Sequence, residues 1–108
     1  MSQIEALRGT YDTALVALGN NEKRRELHAE LQRCGYRIPT LVHPTAFVSP
    51  DAELSAGCII RTRAVVSRYV RLGEGVIVRD HCFISVDVVL KDNVMVQPNS
   101  LEIGRAHV

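Results

Sequence analysis

From Leu41 to Ser100 the chain reads LVHPTA FVSPDA ELSAGC IIRTRA VVSRYV RLGEGV IVRDHC FISVDV VLKDNV MVQPNS, ten sixes without remainder. The second place holds Val42, Val48, Leu54, Ile60, Val66, Leu72, Val78, Ile84, Leu90 and Val96, all aliphatic. The sixth holds Ala46, Ala52, Cys58, Ala64, Val70, Val76, Cys82, Val88, Val94 and Ser100, all small. At 46% hydrophobic content, chance would fill one such column on the order of once in a few thousand tries. A triangular coil requires this pattern, because each face is a short strand aiming one aliphatic side chain into a narrow core and each corner admits only a small inward group. The reading is therefore mainly β, a left-handed parallel β-helix over 41–100. Gly57, Gly75 and Asn93 share one column at 18-residue spacing, and glycine and asparagine best tolerate positive φ at a tight corner. Three sixes then make one turn.

Working outward, 108 residues suit one modest unit rather than two independent cores. Lys and Arg number 13 against 12 Asp and Glu, so the overall balance favours neither nucleic acid nor a membrane surface as partner. No run approaches the roughly 18 apolar residues of a membrane span, and MSQIEALRGT lacks the apolar core of a signal peptide, so a cytoplasmic chain is expected. Cys34, Cys58 and Cys82 are odd in number and have no CxxC spacing; they read as reduced, buried thiols rather than disulfides or metal ligands.

Upstream, Ser2-Gln3-Ile4-Glu5 fits a capping box and predicts a short helix to about Arg8. The apolar run Thr13–Leu18, closed by Gly19-Asn20-Asn21, reads as a buried strand ending in a turn. A helix is expected from Glu22 to Cys34, with Leu27, Leu31 and Cys34 on its apolar face, His28 on its polar side and Gly35 as its stop. Downstream, the hexad is expected to break at Leu101. Ile103 to Val108 can be encoded by a string that looks like a widely used sequencing adapter, so 101–108 is expected to be a non-repeat tail whose last six residues are an assembly artefact.

From Tyr11 onward the chain resembles the bacterial hexapeptide-repeat sugar acyltransferases, which include sialic-acid O-acetyltransferases and the UDP-amino-sugar N-acetyltransferase of pilin and protein glycosylation. The resemblance runs in order through Tyr11-Asp12, Ala17-Leu18-Gly19-Asn20-Asn21, Arg24, Gly35-Tyr36, and Leu41-Val42-His43-Pro44-Thr45-Ala46 into Val48-Ser49-Pro50. It implies that residues 1–40 are part of a nucleotide-sugar-binding α/β unit, with Gly19 and Asn20 near the nucleotide sugar. The family's first strand and Gly-rich loop have no counterpart, so the resemblance makes the chain look truncated at both ends.

The resemblance also implies acetyl-CoA as co-substrate, a nucleotide-linked sugar as acceptor, and a homotrimer with its site between subunits. In that family a histidine takes the proton from the acceptor amine or hydroxyl while a neighbouring carboxylate orients the imidazole. In hexad register the family's histidine falls on Val86, its acidic partner on Asp87, and a second histidine that helps hold acetyl-CoA on Met95. Valine cannot accept a proton. Among the remaining histidines, His81 is the weaker candidate for a base, because its column places it on another corner from Val86. His43, before Pro44, reads as structural.

The implied function is acetyl transfer from acetyl-CoA to a sugar in surface glycan synthesis, with this chain an inactive or divergent copy. The alternative is a non-catalytic β-helix that serves assembly or binding. Other hexapeptide enzymes, such as serine acetyltransferase, resemble the upstream unit less.

Overall fold

The structure is a computed structural model that describes residues 3–16 and 19–103. Two helices, α1 (Gln3–Leu7) and α2 (Asn21–Arg33), precede a succession of two-residue strands six residues apart. These are β1 (Leu41–Val42), β2 (Phe47–Val48), β3 (Glu53–Leu54), β4 (Ile59–Ile60), β5 (Val65–Val66), β6 (Arg71–Leu72), β7 (Ile77–Val78), β8 (Phe83–Ile84), β9 (Val89–Leu90), β10 (Met95–Val96) and β11 (Leu101–Glu102). They form three parallel sheets, ordered β1-β4-β7-β10, β2-β5-β8-β11 and β3-β6-β9. Every pairing joins residues 18 apart, as in Ile60 with Val78 and Leu72 with Leu90. This is a left-handed parallel β-helix, as the hexads require.

The core is built from the two uniform columns. Ile60, Val66, Leu72, Val78, Ile84 and Leu90 are buried from the second place, and Cys58, Ala64, Val70, Val76, Cys82 and Val88 from the sixth. Each aliphatic member contributes roughly 1.5–3 kcal/mol by leaving water, and the ladder bonds, such as Val65 N–H to the Cys82 carbonyl at 2.8 Å, hold the coils in register.

The ladder runs one strand further than expected. Leu101–Glu102 pairs in register with Phe83–Ile84, and the Ser85 N–H donates to the Glu102 carbonyl at 2.8 Å. Glutamate in the inward column hid this strand, because ladder bonding uses the backbone and needs no aliphatic side chain. Residues 104–108, which hold most of the expected artefact, lie outside the described residues.

The corners use a left-handed residue more widely than glycine alone suggests. From the third six onward the fifth place always has positive φ: Gly57, Arg63, Tyr69, Gly75, His81, Asp87, Asn93 and Asn99. Corner geometry overrides residue preference here, at a cost of about 1–2 kcal/mol for each ordinary side chain so placed.

Upstream, Thr13 makes an isolated parallel bridge to Arg37, and Ala14 N–H donates to the Arg37 carbonyl at 3.0 Å. The expected strand over 13–18 is thus reduced to a bridge among the described residues, and Ala17 and Leu18 lie outside them. Ser2 of the expected capping box is also outside them. Helix α2 begins as the turn chemistry predicts: the Asn20 side chain accepts from the Lys23 N–H at 2.9 Å, and Gly35 follows the helix with φ +82°.

Which face α2 buries differs from expectation. Arg24 is 1% exposed and His28 5% exposed, beside Leu31, whereas Cys34 is the half-buried C-cap. The Arg24 guanidinium donates to the carbonyls of Gly75 at 2.6 Å and Asn93 at 2.9 Å, and Gln32 donates to Glu74 at 2.9 Å. Helix α2 therefore docks on the one corner built from Gly57, Gly75 and Asn93, all three buried. A Cβ on Gly57 would lie 2.5 Å from His28 Nε2 and 2.9 Å from Ile38 Cγ2. The bare corner is what admits the helix.

Gly57→Ala is expected to lower stability by about 2 kcal/mol or more, since it adds left-handed strain to overpacking. Gly9→Ala, where an added Cβ meets nothing within 4 Å, is the control in the same denaturant titration. Burial lowers the His28 pKa, with Arg24 acting the same way and Glu74 and Asp92 opposing. A folded pKa below the unfolded value near 6.5 means that stability is full above that value and declines as pH falls below it. Melting temperature measured from pH 7.5 to 5 should fall for the native chain, and fall less for His28→Gln.

Candidate active-site corner

The β-helix has three corners, and 18-residue stacking decides which residues share each. Val86 and Asp87 lie on the corner that follows β8, Asp87 in one column with Asp51 and Tyr69. Backbone and side chains join its levels. The Asp87 N–H donates to the Arg68 carbonyl at 3.2 Å, and Arg68 Nε donates to Asp51 Oδ2 at 3.2 Å. Arg68 also donates to the Tyr69 hydroxyl at 2.9 Å and lies 5.0 Å from the centre of its ring.

Beside this corner, on the outer face of β3-β6-β9, is an open groove of about 480 Å³ lined by Asp51, Glu53, Tyr69, Arg71, Asp87 and Val89. Arg71 and Glu53, register partners on β6 and β3, pair at 3.6 Å in its wall. The groove combines carboxylates, a phenol, a guanidinium and an apolar patch, which suits a ligand with polar and apolar parts. The Asp87 carboxylate is exposed and has no hydrogen-bond partner among the described residues. Val86 is 45% exposed beside it, so a side chain at this position reaches solvent rather than core.

His81 lies elsewhere. Its column holds Thr45, Arg63 and Asn99, on the corner that follows β7, and its N–H donates to the Thr62 carbonyl at 2.9 Å. The structure therefore does not bring His81 and Asp87 to one corner. His43 bonds locally, with Nδ1 at 2.9 Å from the Thr45 hydroxyl. Met95 is half-buried at the start of β10. Gly19 and Asn20 are exposed at the start of α2, where the Asn20 side chain caps the helix and a Cβ on Gly19 would meet nothing within 4 Å. The residues that sequence reasoning missed are Tyr69, Arg68, Glu53 and Arg71. Their signal was the 18-residue column shared with Asp87 and the neighbouring face.

Among the described residues no group of three or more His, Cys, Asp or Glu side chains is placed to hold a metal ion, and no helix is long and apolar enough to cross a membrane. Cys58 is no nucleophile: burial pushes its thiol up to about 11, and Sγ–H donates to the Gly73 carbonyl at 3.2 Å.

Strand order and register together describe a hexapeptide-repeat β-helix. No protein-family model matches the chain. Solved structures do. The acetyltransferase domain of PglB from Neisseria gonorrhoeae, in complex with acetyl coenzyme A, is similar with a TM-score of 0.90 and 30% identity, over 96% of this chain and 53% of that one. A second structure of that domain gives 0.87 and 32% identity, over 89% and 47%. A histidine-to-alanine variant of GDP-perosamine N-acetyl transferase from Caulobacter crescentus, bound to CoA and GDP-perosamine, gives 0.88 at 23% identity over 91% and 47%, a likeness of fold. The resemblance to hexapeptide-repeat sugar acetyltransferases thus holds in structure as in sequence, and the chain spans about half the length of these proteins.

Alkylation of the native chain at pH 8 should modify Cys34 and spare buried Cys58 and Cys82, with all three reacting after denaturation. Mass spectrometry of the two samples reads this directly.

Proposed function

We propose that the chain derives from an acetyl-CoA-dependent sugar acetyltransferase of surface glycan biosynthesis, working in the cytoplasm as a homotrimer on a nucleotide-linked sugar. The observation that carries this reading is the likeness, at 30% identity over 96% of the chain, to an acetyltransferase domain bound to acetyl coenzyme A. In such a transfer the acceptor amine or hydroxyl attacks the thioester carbonyl, a C–N or C–O bond forms, the C–S bond breaks, and the acceptor's proton must be removed. In this reading Asp87 is the residue assigned to orient an imidazole at position 86. Gly19 and Asn20, exposed before α2, are the positions assigned to the nucleotide sugar. The outward apolar row of Phe47, Phe83 and Leu101, each more than two-fifths exposed, supports contact with further subunits.

A second reading has its own observation. Val86 occupies the corner position of the proton acceptor and Met95 that of a second histidine, and neither side chain can exchange a proton. On that ground the chain is a catalytically silent β-helix that keeps an assembly or binding role.

Calorimetric titration of acetyl-CoA, with light scattering on the same sample, separates the two. Saturable binding by a trimer supports the acetyltransferase origin, and a folded chain that ignores acetyl-CoA supports the silent module. Where binding is seen, Val86→His should raise acetyl transfer to UDP-amino sugars by about a hundredfold or more over the native chain, the usual scale for a positioned general base. Unchanged turnover would remove position 86 from the mechanism.

A further inference from the structure

The corner that follows β4 and β7 differs in charge from both others. Its third places carry His43, Arg61 and Arg79, and its fifth places carry Arg63 and His81. Asp80 is the sole carboxylate within these corner positions, and it is engaged by Arg61, Nε to Oδ1 at 3.0 Å. No acceptor is found for the Arg63 side chain among the described residues. Arg79 is half-buried, and its Nε is fully covered with no partner among the described residues. The covered Nε is closed to any ligand from solvent, but stacking arginines on neighbouring coils is unfavourable through like-charge repulsion. An anion at the accessible guanidinium ends relieves that repulsion.

We propose that this corner is a binding site for a phosphate-bearing anion, held by Arg63 and Arg79 with Arg61 beside them. The 18-residue register stacks the coil of Arg61 and Arg63 directly against that of Arg79. Adjacent coils are about 4.8 Å apart, a rise that matches a diphosphate rather than a long polymer. Planar guanidinium donors match phosphate oxygens. The site follows from local segregation of charge, because the whole chain carries a formal net charge of only +1. It lies on a different corner of the chain from Asp87.

The test is calorimetric titration of inorganic pyrophosphate into the full chain at low ionic strength, with folding checked by circular dichroism. Binding should weaken about tenfold or more in Arg79→Gln and Arg63→Gln, and change less than about twofold in Arg25→Gln, an exposed arginine on α2. Arg63 is exposed, so its variant tests the site without disturbing the core. Displacement of pyrophosphate by UDP, with uridine inert, supports the site and gives the diphosphate a nucleotide source. Retention against UDP supports a site for the free anion. A folded native chain that does not bind pyrophosphate, or equal weakening by Arg25→Gln, would overturn the proposal.

Discussion

Closing each coil in eighteen residues, so that every strand meets its counterpart in register, is the constraint on which the rest of this molecule depends. Parallel backbone bonds between coils form only if all three corners turn by the same amount. That requirement puts the fifth residue of each six at positive φ from Gly57 onward, whatever its side chain. Arg63, Tyr69, His81 and Asp87 are unfavourable there taken singly. They persist because ladder bonds and two rows of buried aliphatic groups over-determine the corner.

The residue type that fills each corner then decides what the corner can do. Where it is glycine or asparagine, no Cβ, or only a compact amide, stands between the coil and an approaching element. Helix α2 uses that space, placing His28 against Gly57 and Gly75 and directing the Arg24 guanidinium at two corner carbonyls. The upstream unit is thus joined to the β-helix by polar groups in a covered seam. Such a seam is sensitive to protonation in a way that an aliphatic contact is not.

Among the described residues nothing covers the other two corners, and they differ in chemistry. One carries Asp51, Tyr69 and Asp87, stitched together by Arg68 and opening onto a groove with Glu53 and Arg71. The other is basic. A solenoid turns sequence columns into surface rows, so residues eighteen apart act as one site although each alone is unremarkable in the chain. The acyl-transfer reading rests on likeness to a known acetyltransferase domain, and assigns the first corner, with Asp87 and Val86, as its site.

The sequence by itself determined the β-helix, its eighteen-residue turn and its core rows, because a narrow triangular interior tolerates only aliphatic and small side chains and so prints its period on the chain. It also made the separation of His81 from Val86 and Asp87 legible, since column assignment is arithmetic once the period is known; that positions 86 and 87 matter at all came from the family resemblance. Tertiary structure decided what arithmetic could not reach. Arg24 and His28 looked solvated on an isolated helix, and only the bare corner beneath them supplies carbonyls and space that make their burial tolerable. Glu102 looked like the end of the repeat, yet backbone bonding to Phe83 and Ile84 carries the ladder past it. The basic corner was invisible in a near-neutral composition, because stacking of coils, rather than net charge, gathers Arg61, Arg63 and Arg79 in one place.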